Sequence, residues 1–328
     1  MPPNQTASRM ASGRVCHLIQ TLYRLKQLGQ EWNAEFDNKM RQHGYKRSRA
    51  DPCVYMRSNT NATAIVTVWV DDLLLFADSA EHMEEIKTHI RSKWETKDMG
   101  EPTKIVGIEI TQSPGKICIS QKQSIQKILE RQGLADTSPV QMPLDLNVKI
   151  ISNPDGNEGN RSNVFAQLLG ELQYITNSTC PDITYVVNRL ASYTANPSMQ
   201  HQTALKRILR YLSGTRSHGI TYVYSPDKPI TFKGFSDAAY ADREDKKSTA
   251  GYVYLANQGA ITWKSGKQPV TVQSTTEAEY IAMWDAAKEA SWLRNLYRDL
   301  GYTQQEPTQI MCDNTSAVAI VKNPLYHK

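Results

Sequence analysis

Paired cysteines are the first thing missing from this sequence. Its five, Cys16, Cys53, Cys118, Cys180 and Cys312, are scattered, odd in number and never spaced as Cys-x-x-Cys. That speaks against a disulfide framework or a cysteine-based zinc module and for a reducing compartment. Long apolar runs are missing too, since no stretch approaches the length needed to span a bilayer. The opening residues, MPPNQTASRM, hold no apolar signal-peptide core. An intracellular protein of the cytoplasm or nucleus, without a membrane partner, is therefore expected. No internal repeat is visible, and no strong charge of one sign. Lys and Arg total 38 against 33 Asp and Glu, a formal net charge of +5. Such mild basicity permits a nucleic-acid partner without requiring one.

What is present is ordinary globular material. The 328 residues are 40% hydrophobic and 22% charged, enough for two domains or one large one. Trp32, Phe36 and Met40, four apart, predict a helix over 30–40. The β-branched run 64–70 reads as a buried strand. Asp71 and Asp72 interrupt it and 73–77 resumes it, giving a hairpin with two carboxylates at its tip. A helix is expected over 81–94, a second hairpin over 104–120 turning at Pro114-Gly115, and a helix over 123–132 ending at Gly133. Prolines and glycines cluster over 139–163, which reads as a linker or long loop. Helices follow over 164–176, 181–193 and 199–212. From Pro229 the order becomes three strands (230–235, 250–256, 260–263), a long helix (275–300), a strand (309–312) and a short helix from 315. The fold class is α/β.

Two carboxylate groups stand out. Adjacent aspartates after an apolar strand repel one another unless a divalent cation lies between them; alternatively, Asp71 and Asp72 are a polar tip turning in solvent. In the second half, Asp237 ends the strand Thr231-Phe-Lys-Gly-Phe-Ser-Asp237, and Asp313 ends 309–313. Glu279 sits in the first turns of the long helix, in register with Met283 and Ala286 on its apolar face. Such acids can converge on one metal pair that activates water, although each aspartate taken singly also fits a polar strand end. Glu277 fits a capping box with Ser274 and has a structural task instead. The helix 199–212 is basic and amphipathic, so Lys206, Arg207 and Arg210 face either solvent or nucleic-acid phosphates.

The order of motifs resembles one family. Val68-Trp-Val-Asp-Asp-Leu-Leu-Leu-Phe76 resembles the palm motif of copia-type reverse transcriptases. Leu22-Tyr-Arg-Leu-Lys-Gln27 with Trp32 is similar to their block near the incoming nucleotide. Asp51-Pro-Cys-Val-Tyr55 resembles the strand leading into the palm, and Val106-Gly-Ile-Glu-Ile110 the primer grip. Tyr185-Val-Val-Asn-Arg-Leu190 and Ala204-Leu-Lys-Arg-Ile-Leu-Arg-Tyr-Leu-Ser-Gly-Thr215 are similar to the thumb and connection. Further on, Gly234-Phe-Ser-Asp-Ala-Ala-Tyr-Ala241, Lys247-Ser-Thr-Ala-Gly-Tyr-Val253, Ile261-Thr-Trp-Lys-Ser265, Ser274-Thr-Thr-Glu-Ala-Glu-Tyr-Ile-Ala282 and Cys312-Asp-Asn-Thr-Ser-Ala317 resemble the same family's RNase H blocks. The resemblance runs from about Val15 to the end.

It implies a Pol polyprotein architecture: an α+β palm remnant with primer grip over 14–138, a loop over 139–163, a helical thumb and connection over 164–226, and an RNase H-like mixed sheet flanked by helices over 229–328. It implies Asp71, Asp72, Asp237, Glu279 and Asp313 as catalytic metal ligands for Mg²⁺, with Mn²⁺ as a substitute. Lys26, Gln27, Lys206, Arg207 and Arg210 become nucleic-acid contacts, and the partner an RNA–DNA hybrid or primer–template. Against the family pattern, an earlier palm aspartate and a fourth RNase H acid lie outside the sequence, which reads as truncated at both ends. His327 reads as a terminal residue rather than part of the site. Arg24 stands where the family usually has Gly. Three readings stay open: hybrid cleavage by the tail with a polymerase region inactive alone, to be complemented by intact Pol subunits; a non-catalytic nucleic-acid-binding remnant; or a decayed gene fragment.

Overall fold

A computed structural model of the protein describes residues 28–59, 62–145, 148–153 and 162–323. Lys26, Gln27, Arg24 and His327 lie outside the described residues. The chain divides into two compact units, Met1–Lys97 and Asp98–Lys328.

In the first unit the four-residue spacing of Trp32, Phe36 and Met40 puts all three on one face of α1 (Leu28–Gln42). That face meets a sheet of β1 (Lys46–Arg47), β2 (Val54–Asn59), β3 (Ala62–Trp69) and β4 (Asp72–Ala77), antiparallel in sequence order. α2 (Ala80–Lys93), capped by the Ser79 hydroxyl accepting from the His82 amide, packs on β3 and β4. Phe36 stacks on Trp94 at 5.0 Å and meets Tyr55 edge-on at 5.3 Å. The run 64–70, expected to be a buried strand, is buried only in part. Ala64 and Val66 are buried, Ile65 and Thr67 are half-buried, and Trp69 and Val70 are exposed. The alternation is that of a sheet packed mainly through one face.

The second unit holds three layers of structure. β5 (Lys104–Ile105), β6 (Ile108–Ser113) and β7 (Lys116–Ser120) form an antiparallel sheet that β8 (Ile220–Val223) completes. The β6–β7 turn falls at Pro114-Gly115, as the sequence predicts. The hairpin and α3 (Lys122–Arg131), read from sequence with residues 14–138, belong to this second unit. Helices α3, α4 (Ser162–Ser178), α5 (Thr184–Ala191, preceded by a 3-10 turn Pro181–Ile183) and α6 (Met199–Thr215) enclose one core. Leu129, Leu172, Ile183, Leu190, Ile208 and Leu212 are its centre. Residues 139–145 and 148–153 form no regular element but are pinned. Ile150 is buried in the helical core, the Gln200 amide donates to the Lys149 carbonyl, and Arg210 donates to the Ser138 carbonyl.

The second sheet runs β11 (Gly259–Lys267), β10 (Thr249–Ala256), β9 (Phe232–Ala239), β12 (Ile310–Met311). The first three are antiparallel and β12 is parallel to β9. Between β11 and β12 the chain crosses through α7 (Thr275–Asp299), and α8 (Thr315–Lys322) follows β12. The small residues Ala278, Ala282, Ala286 and Ala290 line α7's buried face and let it lie close to the sheet. Gly234 matters here: a Cβ on it would stand 2.5 Å from the Tyr254 ring, whose hydroxyl donates to the Ala286 carbonyl at 2.5 Å.

A buried polar joint ties the helices to this sheet. Arg189 and Arg243 are 5% and 6% exposed, and Asp242 pairs with Arg189 at 3.8 Å. Arg189 donates to the carbonyls of Ile150 and Asp242. Arg243 donates to Thr249 Oγ1 and Ser192 Oγ, and Thr249 and Tyr185 donate to the Asp242 carboxylate. Burial, with Arg189 alongside, holds Arg243 below its ordinary pKa. Removing the acid leaves the buried Arg189 without its ion-pair partner, which costs on the order of 3–5 kcal/mol. Asp242→Ala should therefore destabilise the second unit by about that amount in urea unfolding. A loss under about 1 kcal/mol would show the joint to be solvent-compensated.

Candidate active site

Asp237, Glu279 and Asp313 come from three elements that the topology brings together. β12 runs parallel to β9 with Met311 opposite Phe235, so Cys312 and Asp313 leave the sheet beside Asp237, which stands inside β9 (Phe232–Ala239) rather than ending it as the sequence predicts. α7 is fixed at its start by Ser274, whose hydroxyl accepts from the Glu277 amide, and by Gln268, which donates to the Ala278 carbonyl at 2.8 Å. Glu277 turns back to accept from the Gln273 amide at 2.7 Å, a structural task, but not from the Ser274 amide that a capping box would use. Glu279, two residues on, points inward and is 6% exposed.

The Glu279 carboxylate takes the Ala238 amide on Oε1 at 3.2 Å, and the Cys312 thiol donates to Oε2 at 3.7 Å. Among the described residues it forms no ion pair. Burial pushes its carboxyl above the ordinary range, and Asp237 and Asp313 push the same way against the Ala238 hydrogen bond. Burial also raises the Cys312 thiol. Glu279, Cys312 and Asp313 offer ligand atoms within 4.8 Å of one another, the one such group among the described residues. Asp237 is exposed and close enough to act electrostatically on Glu279. An acid cluster with a deeply buried, uncompensated carboxylate fits a divalent cation that prefers oxygen ligands. Cys312 escaped the sequence reading because cysteines were weighed only as pairs. Its place directly before Asp313, at a strand end, was the available signal.

Asp71 and Asp72 lie at a different kind of place. Trp69 pairs with Asp72, leaving Val70 and Asp71 as a two-residue turn. Val70, 70% exposed, sits at φ 53°, a conformation that strains a β-branched side chain. Both aspartates are exposed, and among the described residues no His, Cys, Asp or Glu joins them in a group that could hold a metal ion. The segment Val106–Ile110 starts in the β5–β6 turn, where the Tyr174 hydroxyl donates to the Val106 carbonyl. On α6, Lys206 is exposed. Arg207 donates to the Met142 carbonyl at 3.2 Å and lies 3.8 Å from Asp145; Arg210 holds Ser138. Those two arginines spend donors on their own chain.

A family profile described as "Reverse transcriptase (RNA-dependent DNA polymerase)" matches residues 1–146. The Pol polyprotein of transposon TNT 1-94 from Nicotiana tabacum is 35% identical over 322 residues, 95% of this chain. A putative transposon Ty5-1 protein of Saccharomyces cerevisiae is 30% identical over 278 residues, covering 84% of this chain and 89% of its own. The chain belongs to the copia-type retrovirus-related Pol polyproteins. A further member of that group, from transposon RE1 of Arabidopsis thaliana, is 32% identical over 95% of this chain. The chain spans about a quarter of the tobacco polyprotein and a fifth of the RE1 polyprotein (24% and 21%). No helix among the described residues is long and apolar enough to cross a membrane.

Two outcomes follow from the geometry. Glu279's pKa is raised on folding, so the stability tied to its neutral form is full below the unfolded Glu value and is lost as pH rises through the folded one. Glu279→Gln should then raise the melting temperature of the metal-free protein at neutral pH, and the gain should vanish in acid. Melts in chelator at several pH values test this; an equal melting temperature at neutral pH would contradict it. At the hairpin, Val70→Asn should stabilise the first unit by about 1 kcal/mol through relief of the turn, read by urea unfolding.

Proposed function

We propose that the second unit hydrolyses the RNA strand of RNA–DNA hybrids at Asp237, Glu279 and Asp313. The observation that carries this is Glu279: a carboxylate buried on α7, between two aspartates, with no cationic partner among the described residues. A protein keeps such an arrangement at a cost unless a cation or substrate relieves it. The order β9, β10, β11, α7, β12, with β12 parallel to β9, supports reading 229–328 as the RNase H-like region. Helices over 164–226 are then thumb and connection.

In this reading Asp237, Glu279 and Asp313 hold Mg²⁺ or Mn²⁺, which would supply charge compensation and an activated water for phosphodiester hydrolysis. The Ala238 amide fixes the Glu279 carboxylate at the end of β9. Asp237 and Asp313 are exposed, which leaves their carboxylates open to an approaching backbone. Lys206 supplies an exposed cation for phosphate; Arg207 and Arg210 serve mainly to hold the 138–145 segment.

The Asp71-Asp72 turn is read as the metal-facing tip of a reverse transcriptase palm that needs a further carboxylate. Intact Pol subunits are the expected source of that carboxylate in this reading.

The experiment uses the full chain with a labelled RNA–DNA hybrid and Mg²⁺ or Mn²⁺. Cleavage is expected, and Asp237→Asn should reduce it to background. Salt-sensitive hybrid binding without any cleavage would instead establish a non-catalytic nucleic-acid-binding protein.

A further inference from the structure

We propose that Cys312, Glu279 and Asp313 form a thiophilic metal site that takes a divalent ion of the zinc or cadmium class. The proposal shares two carboxylates with the hydrolytic reading above but does not require that hydrolysis occurs.

The spacing is the first support. A single tetrahedral ion bonded to sulfur at about 2.3 Å and to a carboxylate oxygen at about 2.0 Å sets those two atoms roughly 3.5 Å apart. Cys312 Sγ and Glu279 Oε2 are 3.7 Å apart, and Asp313 completes a set within 4.8 Å. The donor chemistry is the second. A thiolate adds little to a site for a hard ion such as Mg²⁺ but selects soft and borderline ions. The third is Glu279 itself, buried, without an ion-pair partner among the described residues, and with Oε2 turned to the thiol. Among the described residues Cys53, Cys118 and Cys180 stand in no such group.

On binding, the S–H bond breaks, its proton leaves to solvent and a sulfur–metal bond forms, with no change of oxidation state. The ion then occupies Glu279 and Asp313 from the sulfur side, and Asp237 is not among its ligands. The soft-ion mode and the all-oxygen mode therefore compete for the same two carboxylates, so traces of a thiophilic ion should oppose Mg²⁺ at this site.

The test is a cadmium titration of the metal-stripped full chain, read by the ultraviolet sulfur-to-cadmium charge-transfer band and by calorimetry. Alkylation of individual cysteines, located by mass spectrometry, runs in parallel. Cd²⁺ should protect Cys312 from alkylation in the wild-type protein. Cys312→Ser should lose the corresponding band and bind Cd²⁺ on the order of tenfold or more weakly. Unchanged affinity and band in that variant would overturn the proposal. Absence of Cys312 protection in the wild type would also overturn it, and that readout stands even if the variant misfolds. Asp237→Asn separates the two readings, since it should abolish hybrid cleavage and leave cadmium binding in place. Cadmium binding without hybrid cleavage removes the hydrolase; hybrid cleavage without Cys312-dependent cadmium binding removes the soft-metal site.

Discussion

The second unit depends on charge held out of water: Arg189, paired with Asp242, and its neighbour Arg243. Ion pairs of this sort add little net stability over apolar packing, but they punish disruption severely. Here they bind helix α5, the pinned Ile150 segment and the turn after β9 into one piece. β9 carries Asp237, so the joint that anchors the helices also fixes one edge of the acid cluster. Asn188 and Trp263 reinforce it, donating across the same boundary to the carbonyls of Ser265 and Thr176. Asp237 thus stands on a strand and Glu279 on a capped helix, with Asp313 two residues past β12, which holds the like charges close without splaying them apart.

Two carboxylate groups of similar appearance in sequence come out physically different. Asp71 and Asp72 stand at an exposed turn where water solvates each charge and repulsion is cheap. Glu279 has been carried under the sheet edge by the apolar face of α7, where its charge is expensive. The burden of the second site explains why it, rather than the first, looks built for an ion.

Much of this was legible beforehand because it is local. Four-residue spacing gave α1, the Asp-Asp break in an apolar run gave the β3–β4 hairpin, and the Ser274–Glu277 pattern gave the start of α7 and separated Glu277 from Glu279. The joining of Asp237, Glu279 and Asp313 came from motif order rather than periodicity. What escaped depends on partners distant in sequence. β8 is four residues long, and nothing in Ile220-Thr-Tyr-Val223 announces that it pairs with β7. β1 is shorter still. Arg207 and Arg210 read as free basic residues because helix periodicity cannot foresee that the 138–145 carbonyls will settle on them. The buried strand expected over 64–70 is buried only in part because apolar content says nothing about how many faces of a sheet are covered.

The pairing of β7 with β8 has one more consequence, which concerns time. Lys116 lies opposite Val223, more than a hundred residues later. During synthesis the β6–β7 hairpin leaves the ribosome with an open edge, and α3 to α6 must be made before the strand that closes it appears. The helical core can condense meanwhile through local contacts, so closure of this sheet is a late, long-loop event and the slow step is written into its topology. Until then the edge of β7 is a template for any extended strand nearby, including β7 of another nascent copy.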